Sequence, residues 1–281
     1  MRPGGADDKH TSAPSSDHRV SHRMAAYEVQ KVLSVHHWNE SLFTFTCTRA
    51  TSLRFESGHF VMVGIMVDGR ALMRAYSIAS AHWEEHLEFV SIKVPNGPLT
   101  SRLQYLKVGD DVLVGRKPTG TLVITDLLPG RYLYLFATGT GLAPFMSIIR
   151  DPDTYERFQK IILVHGVRKV DELAYADLIA HELPQHDALG ELVRNQLVYY
   201  PTVTREPFRN QGRLPDLIAN GKLCSDIGFP QIDPTQDRAM ICGGPAMLKD
   251  MRTVLDQAGF VISTGIGHAG GYVIERAFVE K

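Results

Sequence analysis

A glycine-rich string offers the clearest chemistry in this sequence. Ala137-Thr138-Gly139-Thr140-Gly141-Leu142-Ala143-Pro144 follows an apolar run and precedes a helical pattern that reaches about Arg150. Glycines let a backbone approach an anionic ligand closely, and the first turn of a helix offers that ligand unpaired N–H groups. A plain turn between a strand and a helix would share the glycines, but the order strand, glycines, helix favours a ligand-binding loop.

Two other strings match known motifs but lack the surroundings that their chemistry needs. Gly265-Ile266-Gly267-His268-Ala269-Gly270 has the spacing of a dinucleotide-binding G-x-G-x-x-G, yet residues 272–279 have a strand pattern and leave no room for a βαβ unit. His82-Trp83-Glu84-Glu85-His86 matches the H-x-x-E-H string of inverted zinc proteases, which needs both histidines on one helix. It lies between two strand-like runs, so we expect a solvated hairpin loop there and no metal site.

Arginines and a cysteine stand at strand ends in the second half of the chain. Arg168, Arg205 and Arg213 each follow or flank a predicted strand end, where guanidinium groups suit a phosphate ester, although each one alone would usually be a solvated surface charge. Cys242, within Cys242-Gly243-Gly244-Pro245, ends an apolar run and precedes a helical pattern. Two interpretations stay open for it, an inert buried thiol and a site residue.

Composition excludes several classes of protein. The 281 residues are 44% hydrophobic and 22% charged, which is typical of a globular chain long enough for two domains. A net charge of -1 gives no reason to expect nucleic-acid binding. Cys47, Cys224 and Cys242 form no Cys-x-x-Cys pair, which argues against a disulfide framework, a structural zinc site and a Cys-ligated iron–sulfur cluster. Without an apolar run of about 18 residues or a signal-peptide pattern, we expect a cytoplasmic protein with no membrane partner.

Residues 25–128 have the pattern of a small antiparallel β-barrel. Phe43, Phe45 and Cys47 alternate with threonines, which is a period of two. Other β-rich runs cover 60–67, 72–78, 89–94 and 112–114, with turn signals such as Asp68-Gly69 between them and one helix expected at 99–106. The preceding residues 1–24 are polar and poor in apolar side chains, so we expect a disordered tail.

Residues 129–281 have the pattern of an α/β domain with a parallel sheet. Continuous apolar runs at 132–137, 161–164, 197–200 and 240–242 are typical of strands buried on both faces. Helical patterns alternate with them, most clearly at 246–258, where Pro245 stands at the start and Gly259 just past the end. Such a sheet binds nucleotides at the carboxyl ends of its strands.

Taken in order, five segments resemble the ferredoxin/flavodoxin–NADP reductase family, and the bacterial branch is the most similar. They are Arg74-Ala75-Tyr76-Ser77, Gly97–Ser101, Thr138–Pro144, Thr204-Arg205-Glu206 and Cys242-Gly243. The resemblance runs from about Ala25 to Lys281, and it implies an FAD-binding barrel domain at 25–128 and an NADP(H)-binding domain at 129–281 whose C-terminal tail returns to the flavin.

The resemblance also implies roles for individual residues. Arg74 would bind the FAD pyrophosphate, Tyr76 would stack on one face of the flavin, and Ser77 would hydrogen-bond near flavin N5. The rest of the FAD would be held by Ala75, Val90, Ser91, Ile92, Lys93, Pro98, Leu99 and Thr100. NADPH would meet Thr138, Gly139, Thr140, Gly141, Thr204, Gly243 and Gly244, with Arg168, Arg205 and Arg213 around its 2′-phosphate. Ser77, Cys242 and Glu275 are the residues expected at the reacting centre.

The C-terminal residues depart from the plant-type pattern, which ends in Glu-x-Tyr with the tyrosine covering the flavin. Here Glu275-Arg276-Ala277 occupies those places and Phe278-Val279-Glu280-Lys281 continues beyond it, as in one bacterial subgroup. Ala277 provides no aromatic cover for the ring. For Phe278 two interpretations stay open, stacking on the adenine of FAD and packing against the last strand.

The implied activity is transfer of hydride from NADPH to FAD, and then of single electrons to ferredoxin or flavodoxin, by a monomer. Such partners are typically acidic, and a basic face for them is expected from Arg49, Arg54, Arg70, Lys107, Arg116 and Lys117. Three alternatives remain at this point: an NAD(P)H-dependent flavin or ferric reductase, an oxygenase-component reductase, and a non-enzymatic nucleotide-binding subunit. An intact Arg74–Ser77 segment argues against the last.

Overall fold

The computed structural model describes residues 26–277, so the expected disordered tail at 1–24 and Phe278 lie outside it. Its first part is an antiparallel sheet with the strand order β4-β3-β6-β1-β2-β5. A bridge between Ile78 and Phe89 brings the β4 and β5 edges together, and Phe43 and Phe45 pack inside. The strands are β1 (Tyr27–His37), β2 (Leu42–Thr48), β3 (Phe60–Val67), β4 (Arg70–Ser77), β5 (His86–Ile92) and β6 (Asp111–Gly115).

The predicted helix at 99–106 is wrong in length. Helix α1 covers only Thr100–Leu103, and the chain turns at Gln104 and Tyr105. Leu99 and Leu103 are fully buried in the barrel core. The apolar pattern that predicted a longer helix therefore reflects the packing of this short helix into the core.

The second part is a parallel sheet with the strand order β11-β10-β7-β8-β9. Its strands are β7 (Tyr132–Thr138), β8 (Lys160–Val167), β9 (Leu197–Val203), β10 (Arg238–Gly243) and β11 (Tyr272–Arg276). The helices are α2 (Ala143–Ile149), α3 (Pro152–Arg157), α4 (Gly190–Gln196), α5 (Leu214–Ala219), α6 (Lys222–Ile227) and α7 (Pro245–Gln257). Side chains from α2 to α4 pack on one face of the sheet and those from α5 to α7 on the other. The predicted fold class, a barrel followed by a parallel α/β sheet, is therefore confirmed.

A buried polar network joins the two parts. Arg150, at the end of α2, donates to Glu88 on β5 at 2.7 Å, and the Tyr175 hydroxyl donates to the same carboxylate at 2.8 Å. Ser147 on α2 donates to the carbonyl of Ser80 at 2.7 Å. Since the Arg150 and Glu88 side chains are only 9% and 12% exposed, this contact fixes the spacing between the barrel and the sheet.

Two features of the described residues concern membrane-spanning helices and metal ligands. Among the helices within 26–277, none combines the length and the apolar character that a membrane span requires. Over the same range, no cluster of three or more His, Cys, Asp or Glu side chains is arranged to hold a metal ion. His82 instead faces Asp151, with 3.0 Å between Nδ1 and Oδ2, and His86 begins β5.

Candidate functional site

A cleft between the barrel and the parallel sheet collects most of the residues that the motifs singled out. The cleft has a cavity volume of about 30 Å³ and is partly open to solvent. Segments far apart in sequence meet here: the ends of β4 and β5, the start of α1, the glycine string and Ala277, which follows the C-terminal strand. The lining residues are Ala75, Tyr76, Ser77, Val90, Ser91, Ile92, Thr100, Thr140, Ala143 and Ala277.

Tyr76 forms a rigid wall of the cleft. Its hydroxyl lies 3.0 Å from Oγ of Ser91 on β5, and its ring meets Phe89 edge to face at 6.3 Å between centroids. Only 8% of the residue is exposed. Because its hydroxyl and its ring are both held, Tyr76 lines the cleft beside Ser77 with little freedom to move.

The glycine string and the end of β10 form the opposite side. A Cβ at Gly141 would lie 2.3 Å from the carbonyl oxygen of Cys242, so only glycine permits this close approach of the two segments. At Gly139 and Gly244, by contrast, a Cβ would meet nothing within 4 Å. These open positions leave the backbone beside Thr140 accessible to a flat ligand.

Glu275 and Cys242 lie side by side on β11 and β10, but neither lines the cleft. The two residues are direct partners in the parallel register. Cys242 is fully buried, and burial raises the pKa of its thiol well above the usual value. Burial also raises the pKa of Glu275 to about 7, while hydrogen bonds from Thr121 act in the opposite direction. The carboxyl therefore changes its charge near neutral pH, whereas the sulfur remains a thiol.

A second, open cavity of about 480 Å³ lies beyond the carboxyl end of β9. Thr204, Arg205 and Arg213 line it. Arg168 lies next to it, since its carbonyl accepts from the backbone N–H of Arg205 at 2.9 Å. The Arg213 guanidinium also contacts Asp250, with 2.8 Å between Nη2 and Oδ2. The arginines singled out from the sequence therefore lie around one cavity, whose lining also includes the carboxylates of Glu206 and Asp216.

Several predicted residues lie outside the lining of the cleft. The Lys93 ammonium donates to the carbonyl of Asn39 at 2.8 Å, and a guanidinium nitrogen of Arg74 donates to the carbonyl of Met73 at 2.9 Å. Leu99 points into the barrel core and Pro98 is exposed, so neither side chain lines the cleft, and only their backbones remain for a ligand.

Sequence reasoning assigned no role to three residues that lie at the cleft or at Glu275. Ala143 lines it and belongs to the glycine string, so its position could have been found from that motif. The Thr121 N–H donates to the Glu275 carboxyl across 154 residues of sequence, and Gly120 lies beside the same carboxyl. Neither residue belongs to a motif. Only the fold reveals them.

Family models match both parts of the chain. Residues 27–124 match the oxidoreductase FAD-binding domain, and residues 135–253 match the oxidoreductase NAD-binding domain. The residues present fit these groups: hydroxyl-bearing side chains line the cleft between the two matched parts, and Arg205 and Arg213 line the cavity in the second part. Fold and site together define a two-domain flavin- and nicotinamide-dependent oxidoreductase.

Known proteins narrow this class. The chain is 64% identical to the ferredoxin–NADP reductase of Azotobacter vinelandii, over 92% of this chain and 100% of that protein. It is 49% identical to the flavodoxin/ferredoxin–NADP reductase of Rhodobacter capsulatus, over 90% of this chain and 93% of that protein. A crystal structure of a ferredoxin NADP+ reductase from Neisseria gonorrhoeae with bound FAD and NADP matches with a TM-score of 0.82 and 29% identity, over 90% of this chain and 100% of that one. The chain belongs to the ferredoxin–NADP reductase family.

Proposed function

We propose that this enzyme takes electrons from NADPH and delivers them singly to ferredoxin or flavodoxin, in a reaction that is reversible in principle. The observation that carries the proposal is the single cleft at which the barrel strand ends, the glycine string and Ala277 meet. When bound there, FAD supplies the ability to accept two electrons as hydride and to release them one at a time.

The barrel domain, residues 25–128, provides the seat for FAD. Tyr76 would stack on one face of the flavin and Ser77 would hydrogen-bond near its N5, and both line the cleft together with Val90, Ser91 and Ile92. Arg74 would bind the pyrophosphate, and Ala75, Lys93, Pro98, Leu99 and Thr100 would hold the rest of the FAD. Phe278 remains a proposed contact of the adenine or of the last strand.

The second domain, residues 129–281, orients the nicotinamide. The open backbone at Gly139 and Gly244 leaves room for a flat ring, and Thr138 stands where the glycine string begins. Ala277, with a single methyl group, lines the cleft without closing it. Glu275 places a carboxyl that titrates near neutral pH behind this wall, and Cys242 separates it from the glycine string as a neutral, fully buried thiol.

The arginine-lined cavity gives the preference for NADPH over NADH. Arg205 and Arg213 would bind the 2′-phosphate, with Arg168 close by and Thr204 at the rim. Arg213 would exchange its contact with Asp250 for one with the phosphate. An arginine binds a phosphate through parallel charge-assisted hydrogen bonds, which NADH cannot offer at this place.

Basic side chains of the barrel domain support docking of an acidic protein. Arg54, Arg70, Lys107 and Lys117 are exposed. Arg49 instead holds a loop through the carbonyls of His82 and Glu84, and Arg116 pairs with Glu28, so these two contribute less. We expect a monomer that works in the cytoplasm.

The test is purification followed by stopped-flow spectroscopy. Denaturation should release one FAD per chain, and NADPH should bleach the flavin absorbance much faster than NADH. Mixing the reduced enzyme with ferredoxin or flavodoxin should then restore the oxidised spectrum. Release of FMN, or rapid reoxidation by free flavin or ferric complexes but by neither protein, would contradict the proposal.

A further inference from the structure

The end of β11, which carries Glu275, is held by hydrogen bonds from a residue far away in the sequence. Thr121 lies in the segment that connects the barrel to the parallel sheet. Its backbone N–H donates to Oε2 of Glu275 at 3.0 Å, and its hydroxyl donates to the carbonyl of Ile274 at 3.0 Å. The same hydroxyl lies 3.5 Å from Oε2 of Glu275. One residue therefore holds both the backbone and the carboxyl of this part of β11.

The preceding residue, Gly120, makes this approach possible. Its φ of +151° lies in the region that favours glycine, and a Cβ there would stand 3.0 Å from Oε2 of Glu275 and 3.4 Å from the ring of Phe60. A side chain would push the carboxyl away from the Thr121 N–H. Gly120 and Thr121 together form what we call the carboxyl seat.

The other groups facing Glu275 offer no comparable donor. Across the sheet it meets the Cys242 thiol, and the backbone of His59 lies behind Gly120. Arg276, its neighbour on β11, is exposed to solvent. Within the described residues, the Glu275 carboxyl thus receives its hydrogen bond from the backbone N–H of Thr121.

We propose that Thr121 is a positioning residue, which fixes the Glu275 carboxyl beside Cys242 and so couples this carboxyl, which lies behind the cleft, to the domain linker. The single hydrogen of the Thr121 hydroxyl bonds the Ile274 carbonyl and so holds this end of β11 where the Thr121 N–H reaches the carboxylate. Because an N–H that donates to a carboxylate favours its ionised form, loss of the hydroxyl should weaken this contact and raise the Glu275 pKa. The effect on turnover rests on the proposed function, whereas the effect on Glu275 itself does not.

The first experiment measures the carboxyl directly in the holoenzyme. The ¹³C resonance of the Glu275 carboxyl, assigned by its absence in Glu275→Gln, is titrated from pH 5 to 9 by NMR. Thr121→Val keeps the shape and the backbone N–H but removes the hydroxyl, and we expect the Glu275 pKa to rise by about half a unit. Thr121→Ser retains a donor and should restore the wild-type titration.

The matched control lies on the same linker. Thr125 donates to Oε2 of Glu56 at 2.8 Å, so Thr125→Val removes a similar bond at a place remote from Glu275 and should leave its titration unchanged. If Thr121→Val yields too little folded protein, Thr121→Ala removes the same hydroxyl without a branched side chain.

The second experiment separates the positioning role of Thr121 from the proposed role of Glu275 in flavin reduction. In stopped-flow reduction by NADPH, the pH midpoint of the rate should shift in Thr121→Val by the same amount as the NMR titration. An unchanged Glu275 titration in both Thr121→Val and Thr121→Ala would overturn the positioning role and leave the proposed function intact. A wild-type rate and pH profile in Glu275→Gln would instead remove Glu275 from the proposed mechanism, whatever Thr121 does to its titration.

Discussion

Replacing Glu275 by Gln should change how the stability of the enzyme depends on pH. Burial raises the carboxyl pKa from an ordinary 4.5 to about 7 in the folded protein. Between these values the folded state holds a proton that the unfolded state has lost, so stability is highest below pH 4.5 and falls as pH rises through 7. At about 1.36 kcal/mol per pH unit, the full difference corresponds to roughly 3 kcal/mol.

Over the pH range that an unfolding experiment can cover, the loss of stability due to Glu275 is smaller than this full difference. Between pH 5.5 and 8.5 the linkage relation gives a loss of about 2 kcal/mol in the wild-type enzyme from this one group. A glutamine at position 275 does not titrate but still accepts a hydrogen bond from the Thr121 N–H. The unfolding free energy of Glu275→Gln relative to wild type should therefore increase by about 2 kcal/mol over this range.

Urea unfolding of the holoenzyme, followed by flavin fluorescence and circular dichroism at four pH values, measures this difference. Glu40→Gln, at an exposed position, is the matched control and should keep a constant offset from wild type. If the offset of Glu275→Gln also stayed constant, within about 0.5 kcal/mol, the carboxyl would not be the buried, proton-holding group described above.

Three further predictions concern the substrates. Arg205 and Arg213 each supply a charge-assisted contact of about 1.5–3 kcal/mol. Their double replacement by Ala should therefore weaken NADPH binding ~100-fold in titrations and leave NADH binding unchanged. Equal losses of NADPH and NADH binding would contradict the phosphate assignment. Turnover with ferredoxin or flavodoxin should fall as salt rises, because exposed charges are screened over ~8–10 Å, whereas turnover with a small neutral acceptor should not. Ala277→Tyr crowds the cleft at a cost of about 1–3 kcal/mol, so it should slow flavin reduction by NADPH about tenfold or more. An unaltered stopped-flow rate would show that Ala277 does not face the flavin ring.

Patterns with a strong period were predictable from sequence. The third strand was expected at 60–67 and covers Phe60–Val67, and the helix expected at 246–258 covers Pro245–Gln257. The first strand, Tyr27–His37, escaped notice because only Gln30 and Val32 along it are buried, so its apolar period is weak. Local periodicity reports burial, and a strand whose faces are mostly exposed gives little signal.

The site was predictable only where its residues belong to a motif. The glycine string was predictable from its local order and the Arg74–Ser77 strand end from the family resemblance, and residues of both line the cleft. The sequence could not show that Cys242 is fully buried, since burial depends on how closely Gly141 packs against it. Nor could it show the carboxyl seat, because the contact of Thr121 with Glu275 depends on chain closure over 154 residues.

The buried contact between the domains limits how freely the two halves could be recombined. Glu88 belongs to the barrel and Arg150 to the second half, so each half carries one member of an ion pair that is almost fully withdrawn from water. A chimera that grafts another reductase's nucleotide half onto this barrel without a cation at this place would leave a buried carboxylate unpaired, at a cost of about 3–5 kcal/mol. Exchange of halves between relatives is therefore restricted to those that share the pair, and engineered swaps have to move the end of α2 together with its barrel partner.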